Sequence, residues 1–188
     1  MKALFKNTAF ALMFAMGLTA CQSLPKPMPT PDASDVIKFE ITGKIGVTTQ
    51  TPNGKQAGSA FYTWGQEDNR FAIDLTGALG IGATAITFNG QVATLTSEKT
   101  GVVTADTPEE LLLKATGWQA PISQLPYWII GRVAPDDVDS VVTDGKLMQS
   151  TNDDWQAVFE YGKNNRPNRL IMTHVDGHRV VMTIAYPN

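Results

Sequence analysis

Cysteine occurs once in this 188-residue chain, at Cys21, and histidine twice, at His174 and His178. A single thiol excludes a disulfide framework and any multi-cysteine metal site. Positive charge is also scarce: 15 Lys and Arg stand against 18 Asp and Glu, for a net charge of −3, and no basic cluster appears. That balance argues against a nucleic-acid partner and against electrostatic docking on anionic head groups. No apolar run reaches the roughly 20 residues of a membrane-spanning helix. Gly-x-Ser-x-Gly, phosphate-loop and dinucleotide glycine patterns are missing too, and with them the usual marks of nucleophilic or nucleotide chemistry. No catalytic residue, cofactor or metal is therefore expected, and the chain does not read as an enzyme.

What is present begins at the N-terminus. Lys2 and Lys6 precede an apolar run from Ala9 to Leu18 and then Leu18-Thr19-Ala20-Cys21. A charged start, a short apolar core and small residues at the cut site make a secretory signal over residues 1–20. The closing tetrapeptide resembles the lipobox of bacterial lipoproteins. That resemblance implies cleavage before Cys21, lipidation of its thiol, and a membrane anchor rather than a span. Each buried CH₂ of an acyl chain adds about 0.8 kcal/mol, so several chains on one residue hold almost permanently. Gln22 follows where Asp would imply retention at the inner membrane, so the outer membrane, periplasmic face, is expected. Loss of Lys2 and Lys6 with the signal takes the net charge from −3 to −5. Residues 21–35 read as a tether, because Pro25, Pro27, Pro29 and Pro31 alternate with other residues and favour extended polyproline II. Residues 36–188 then form one domain.

The domain is mostly β. Phe39, Ile41, Ile45 and Val47 alternate with Lys38, Glu40, Thr42 and Lys44, the period of a half-buried antiparallel strand. Phe71, Ile73 and Leu75 repeat the pattern, as do Trp155, Ala157, Phe159 and Tyr161. Shorter candidates are 57–64, 83–88, 91–96, 101–105, 145–149, 168–174 and 178–185. Asn53-Gly54, Asn89-Gly90, Asp144-Gly145 and Asp176-Gly177 supply hairpin turns between them. One helix interrupts. Thr107 caps it, Pro108 takes its first position, Glu110 completes a capping box and Gly117 ends it. Leu111, Leu112 and Ala115 form its apolar face. A turn and a short helix follow, opened by Pro126 and closed at Gly131. A curved antiparallel sheet, closed over by helices inserted mid-sequence, suggests a half-barrel with a lid.

His174 and His178 flank Asp176-Gly177 and read as exposed turn residues. Asp136, Asp137 and Asp139 lack the spacing, glycine and terminal Glu of a calcium loop and read as a solvated acidic loop. The unusual segment is Leu75-Thr-Gly-Ala-Leu-Gly-Ile-Gly82, where three glycines surround Leu79 and Ile81. Loops are usually polar. Such a segment is either a tip that inserts into something or a corner folded back on the core.

Several pieces, in order, resemble one family. They are Thr42-Gly43-Lys44-Ile45-Gly46-Val47, Ala60-Phe61-Tyr62-Thr63-Trp64, Leu75-Thr76-Gly77-Ala78-Leu79-Gly80, Ala115-Thr116-Gly117-Trp118 with Pro121 and Leu125, and Trp128-Ile129-Ile130-Gly131. Together with the lipobox they are similar to the LolB family, the outer-membrane lipoprotein receptors of the lipoprotein localisation pathway. The resemblance implies an open, curved antiparallel β-sheet, an incomplete barrel, with short helices as a lid over a hydrophobic cavity that takes acyl chains. It implies a LolA-like periplasmic carrier and acylated lipoprotein cargo as partners, with the inner leaflet of the outer membrane as acceptor. Leu79 matches the exposed apolar residue these proteins need for insertion, although Ala78 stands where the family usually has Pro. Wall candidates are Ile45, Val47, Phe61, Phe71, Ile73 and Leu75; lid candidates are Leu112, Ile122, Leu125, Trp128 and Ile129. The chain is expected to act as a monomer. A glycolipid- or phospholipid-binding lipoprotein of the same shape and a structural outer-membrane scaffold are the competing readings.

Overall fold

The computed structural model describes residues 36–77 and 83–187. Residues 1–35, which include the expected signal, Cys21 and the expected tether, and Leu79 lie outside them. The chain first forms six strands: β1 (Lys38–Thr51), β2 (Gly54–Glu67), β3 (Arg70–Thr76), β4 (Thr84–Phe88), β5 (Ala93–Ser97) and β6 (Gly101–Ala105). Helix α1 (Pro108–Thr116), a 3₁₀ turn (Ile122–Gln124) and helix α2 (Leu125–Ile129) follow. Five more strands complete the domain: β7 (Asp139–Thr143), β8 (Lys146–Asn152), β9 (Trp155–Tyr161), β10 (Pro167–His174) and β11 (Arg179–Ala185). None of these helices is long and apolar enough to cross a membrane.

All eleven strands belong to one antiparallel sheet in the order β6-β5-β4-β3-β2-β1-β11-β10-β9-β8-β7. The first strand therefore pairs with the last, in the middle. The two edges are β6 and β7, and the helical segment runs between them instead of a closing ladder. The result is an open sheet, as the sequence suggests, and not a closed barrel.

Register decides which face is apolar, because a slip of one residue reverses every side chain. Ile41 lies opposite Trp64, Gly43 opposite Tyr62, and Ile45 opposite both Ala60 and Met182. Ala60, Tyr62 and Trp64 are thus buried with Ile41, while Thr63 and Phe61 point the other way. This corrects the expectation that Phe61 lines the inner wall. Strand β2 carries apolar residues on both parities, and pairing with β1 selects the even one. Phe61 is 65% exposed on the outer face.

Gly43 has a specific reason to be glycine. A Cβ there would lie 1.8 Å from the Thr183 carbonyl oxygen. That carbonyl accepts a hydrogen bond from the Tyr62 hydroxyl at 2.9 Å, and the Tyr62 ring covers the glycine.

The helix signals are realised residue by residue. Thr107 Oγ1 accepts from the Glu110 amide at 3.1 Å, and the Glu110 carboxylate accepts from the Asp106 amide at 3.2 Å. Gly117 ends α1 in the left-handed region at φ 80°. Leu111 is buried against Ala93, Leu95 and Ala105, so α1 covers the inner face of β5 and β6. Strand β7 has no counterpart among the sequence candidates. Val141 and Val142 stand side by side, without alternation, and a bulge separates them.

Candidate functional site

The inner face of the sheet and its helical cover bring most of the candidate residues together. At one end, four aromatic rings cross four strands in a row: Phe39, Trp64, Phe71 and Phe88, with centroids 5.8 to 5.9 Å apart. Ring pairs at this spacing add to plain burial, and the row closes that end of the concave face. Trp64 Nε1 donates to Gln66 at 2.9 Å, so its polar edge is satisfied inside.

Ile45, Val47 and Ile73 face inward from central strands and join the main core cluster. Each is nevertheless only half-buried. Side chains on the inner face of a filled barrel would be packed to interior density. Their residual exposure means that the concave face is not filled along this stretch. Leu75, by contrast, is buried, as is Phe71.

The cover divides in two. Leu112 on α1 and Ile122 in the 3₁₀ turn are half-buried. Leu125, Trp128 and Ile129 are buried core, and Trp128 and Ile129 are fully so. Trp128 meets Phe159 edge-on at 6.4 Å. Its Nε1 donates to Asp137 Oδ2 at 2.9 Å, which also accepts from the Ala134 amide at 2.9 Å and from the Ser150 hydroxyl. The expectation of a wholly solvated acidic loop fails for Asp137. Its carboxylate is a clamp that fixes α2 to β8, while Asp136 and Asp139 are exposed. Tyr186 adds a second fixing point, its hydroxyl donating to the Ile129 carbonyl at 2.5 Å.

His174 and His178 are also not exposed turn residues. Both are half-buried in a ring cluster with Trp118 and Trp155: His178 stacks on Trp118 at 6.1 Å and His174 meets Trp155 at 5.1 Å. The sequence gives no sign of this, because Trp118 is about 60 positions away. His174, Asp176 and His178 place ligand-type atoms within 4.8 Å of one another. However, the Nδ1 of His178 accepts from the Gln50 amide, and that of His174 from the Asp176 amide, both at 3.1 Å. In that tautomer each ring presents an Nε2–H donor instead of the lone pair a metal needs. The cluster is a clasp between the β10–β11 turn and the segment that leaves α1.

A cleft of about 530 Å³ lies beyond the aromatic row, lined by Lys38, Glu40, Glu67 and Arg70 together with Phe39, Phe71 and Phe88. Three of its four charges pair: Lys38 meets Glu67 at 3.0 Å and Arg70 meets it at 3.5 Å. The hydrogen bond from Lys38 holds the Glu67 carboxyl below its ordinary range. Inside the core the picture is different. Among the described residues the buried polar side chains are Gln66, Thr84, Ser97, Ser150 and Asn152, none of them charged. An open inner face lined by aliphatic and aromatic side chains, with the Asp137 carboxylate set behind Trp128, suits long apolar ligands.

Residues 37–185, from just before β1 to the end of β11, match the family described as outer membrane lipoprotein LolB. The chain belongs to the LolB family. One LolB relative, from Marinomonas sp. (strain MWYL1), is 34% identical over 142 residues, covering 73% of this chain and 71% of its own. Another, from Bordetella petrii, is 30% identical over 173 residues, covering 89% and 85%. Among solved structures, a LolA superfamily protein from Nitrosomonas europaea aligns with a TM-score of 0.49 and 11% identity, over 78% of this chain and 84% of that one. LolB proteins are outer-membrane lipoproteins, and membership places this chain among them.

Proposed function

We propose that this chain is the outer-membrane receptor that takes acylated lipoproteins from a LolA-like periplasmic carrier and inserts them into the inner leaflet. The observation that carries this reading is the half-buried state of Ile45, Val47 and Ile73 on an inward-facing sheet surface. These three, with Leu112 and Ile122 from the cover, are the side chains against which cargo acyl chains would lie. Phe71 and its row close the far end. Leu75, Leu125, Trp128 and Ile129 act as the frame behind that surface. Cys21 carries the lipid anchor, and Leu79 is the insertion residue in the loop after β3.

The work is transfer, not covalent catalysis. Direction comes from a gradient of apolar burial: the receptor holds acyl chains more tightly than the carrier, and the bilayer more tightly than both. A kcal/mol at each step shifts the equilibrium about fivefold. One protomer suffices, since the inner face is built from a single chain.

The test is a handover assay. The mature chain with Cys21→Ala is mixed with carrier loaded with a labelled triacylated lipoprotein. Movement of the label to this chain is the expected outcome. In the lipidated form, Leu79→Glu should then block insertion more than uptake. Label that stays on the carrier overturns the reading; if the chain still takes up free phospholipid, it is a lipid-binding lipoprotein of the same fold.

A further inference from the structure

Phe61 is the one aromatic among the strongly exposed large apolar side chains of the described residues. It stands on the outer face of β2, away from the core. Lys44 lies directly opposite it on β1, and Thr76, the last residue of β3, directly opposite on the other side. The rest of its surroundings on that face are Thr42, Gly46, Ser59 and Thr63, with the exposed carboxylate of Asp74 diagonal to it on β3. At Thr76 the chain leaves the sheet for the segment that carries Leu79. Gly77 takes φ +122° there, and a Cβ on it would lie 3.3 Å from Ala60 Cα. Gly77 thus still lies against Ala60, the residue that precedes Phe61.

We infer that Phe61 and Lys44 form a second membrane contact, which seats the outer face of β1–β3 on the bilayer surface beside the end of β3. Phe, like Trp and Leu, is a side chain that surface-bound proteins sink into the head-group and acyl boundary. A lysine beside such a ring can reach lipid phosphate with its ammonium while its stem lies along apolar surface. A protein partner would bury an aromatic anchor in a matching pocket ringed by further contacts. Phe61 instead rises as a single ring among threonine, serine, glycine and the Asp74 carboxylate, a form that suits a fluid, unshaped partner. The lipid anchor already keeps the chain at the membrane, so one ring and one cation are enough to orient it. This inference rests on the transfer role proposed above, in which the loop after β3 meets the bilayer.

The test uses the mature lipidated chain in vesicles of phosphatidylethanolamine and phosphatidylglycerol doped with brominated phosphatidylcholine. Phe61→Trp is compared with the parent and with Val102→Trp, which sits 67% exposed on the distant edge strand β6. Bromine should quench the added fluorescence at position 61 several-fold more than at position 102. Phe61→Asp and the milder Phe61→Ser should keep the parent melting temperature and uptake from the carrier, yet insert cargo several-fold more slowly. Equal quenching at both positions overturns the membrane contact. A fall in uptake as large as the fall in insertion also overturns it, and makes Phe61 a carrier contact. If the parent itself takes up no cargo while position 61 is still quenched, the transfer reading fails and the membrane contact stands.

Discussion

A methyl group at position 43 would overlap the Thr183 carbonyl oxygen, and neither strand can move aside without losing its ladder. Gly43→Ala is expected to cost about 3 kcal/mol or more, the range of severe backbone and overpacking defects. A shifted urea midpoint measures it. The sequence shows Gly43 only as a member of a motif; the reason for it is a carbonyl on the last strand, which no local pattern reveals. Tyr186 makes a second prediction at this scale. Burial pushes its hydroxyl up to about 12, although Arg166, 5.0 Å from the ring, pulls the other way. In the unfolded chain it ionises near 10. The folded state therefore holds the proton longer, so stability is untouched below pH 10 and falls as pH rises from there toward 12. Burial raises the Tyr62 and Tyr161 hydroxyls as well, which steepens the fall. Melting curves between pH 8 and 12 should show it, with a shallower slope for Tyr186→Phe.

Helices α1 and α2 were not equally legible. The ends of α1 are written in neighbouring residues, Thr107, Pro108, Glu110 and Gly117, because capping is a local interaction. The seat of α2 is not local. Asp137 reaches back to Trp128 and across to Ser150, and in the sequence it is one acid among three. Removing its carboxylate leaves a buried indole N–H, a backbone N–H and a hydroxyl without their acceptor. Asp137→Ala should lose about 3 kcal/mol, and Asp137→Asn about half of that, since one oxygen remains to accept. Urea unfolding followed by tryptophan fluorescence measures both. Strands divide in the same way. Those with clean alternation, β1, β3 and β9, declared both their existence and their inner face. Strand β2 declared its existence but not its face, since Phe61 is as apolar as the Tyr62 beside it. Strand β7 did neither, being exposed along its whole length. The wall candidates Ile45, Val47 and Ile73 lie on the inner side, and Phe61 lies on the outer. Burial then separated accessible cover residues, Leu112 and Ile122, from the buried Leu125, Trp128 and Ile129, a distinction that hydropathy alone does not contain.

At the scale of the molecule, the sheet is two meanders joined down the middle. Strands β1 to β6 form one arm, β7 to β11 the other, and the free edges β6 and β7 flank the helical cover. Two edges left unjoined by a ladder are what separates this sheet from a closed barrel. Lys114 reaches the Thr104 carbonyl on β6, and the bulge in β7 twists the other edge; both are ways to discourage edge-to-edge aggregation. The join itself has a consequence for biogenesis. Its partners, Thr42 with Ala185 and Val47 with Val180, are separated by nearly the whole domain. A polypeptide threaded across the inner membrane from its N-terminus delivers β1 first and β11 last. Each arm can zip locally as it emerges, but β1 has to wait, paired on one side only, until translation and export are finished. Contacts so distant in sequence are slow to form. The receptor therefore finishes folding only when its last strand arrives and seats against its first.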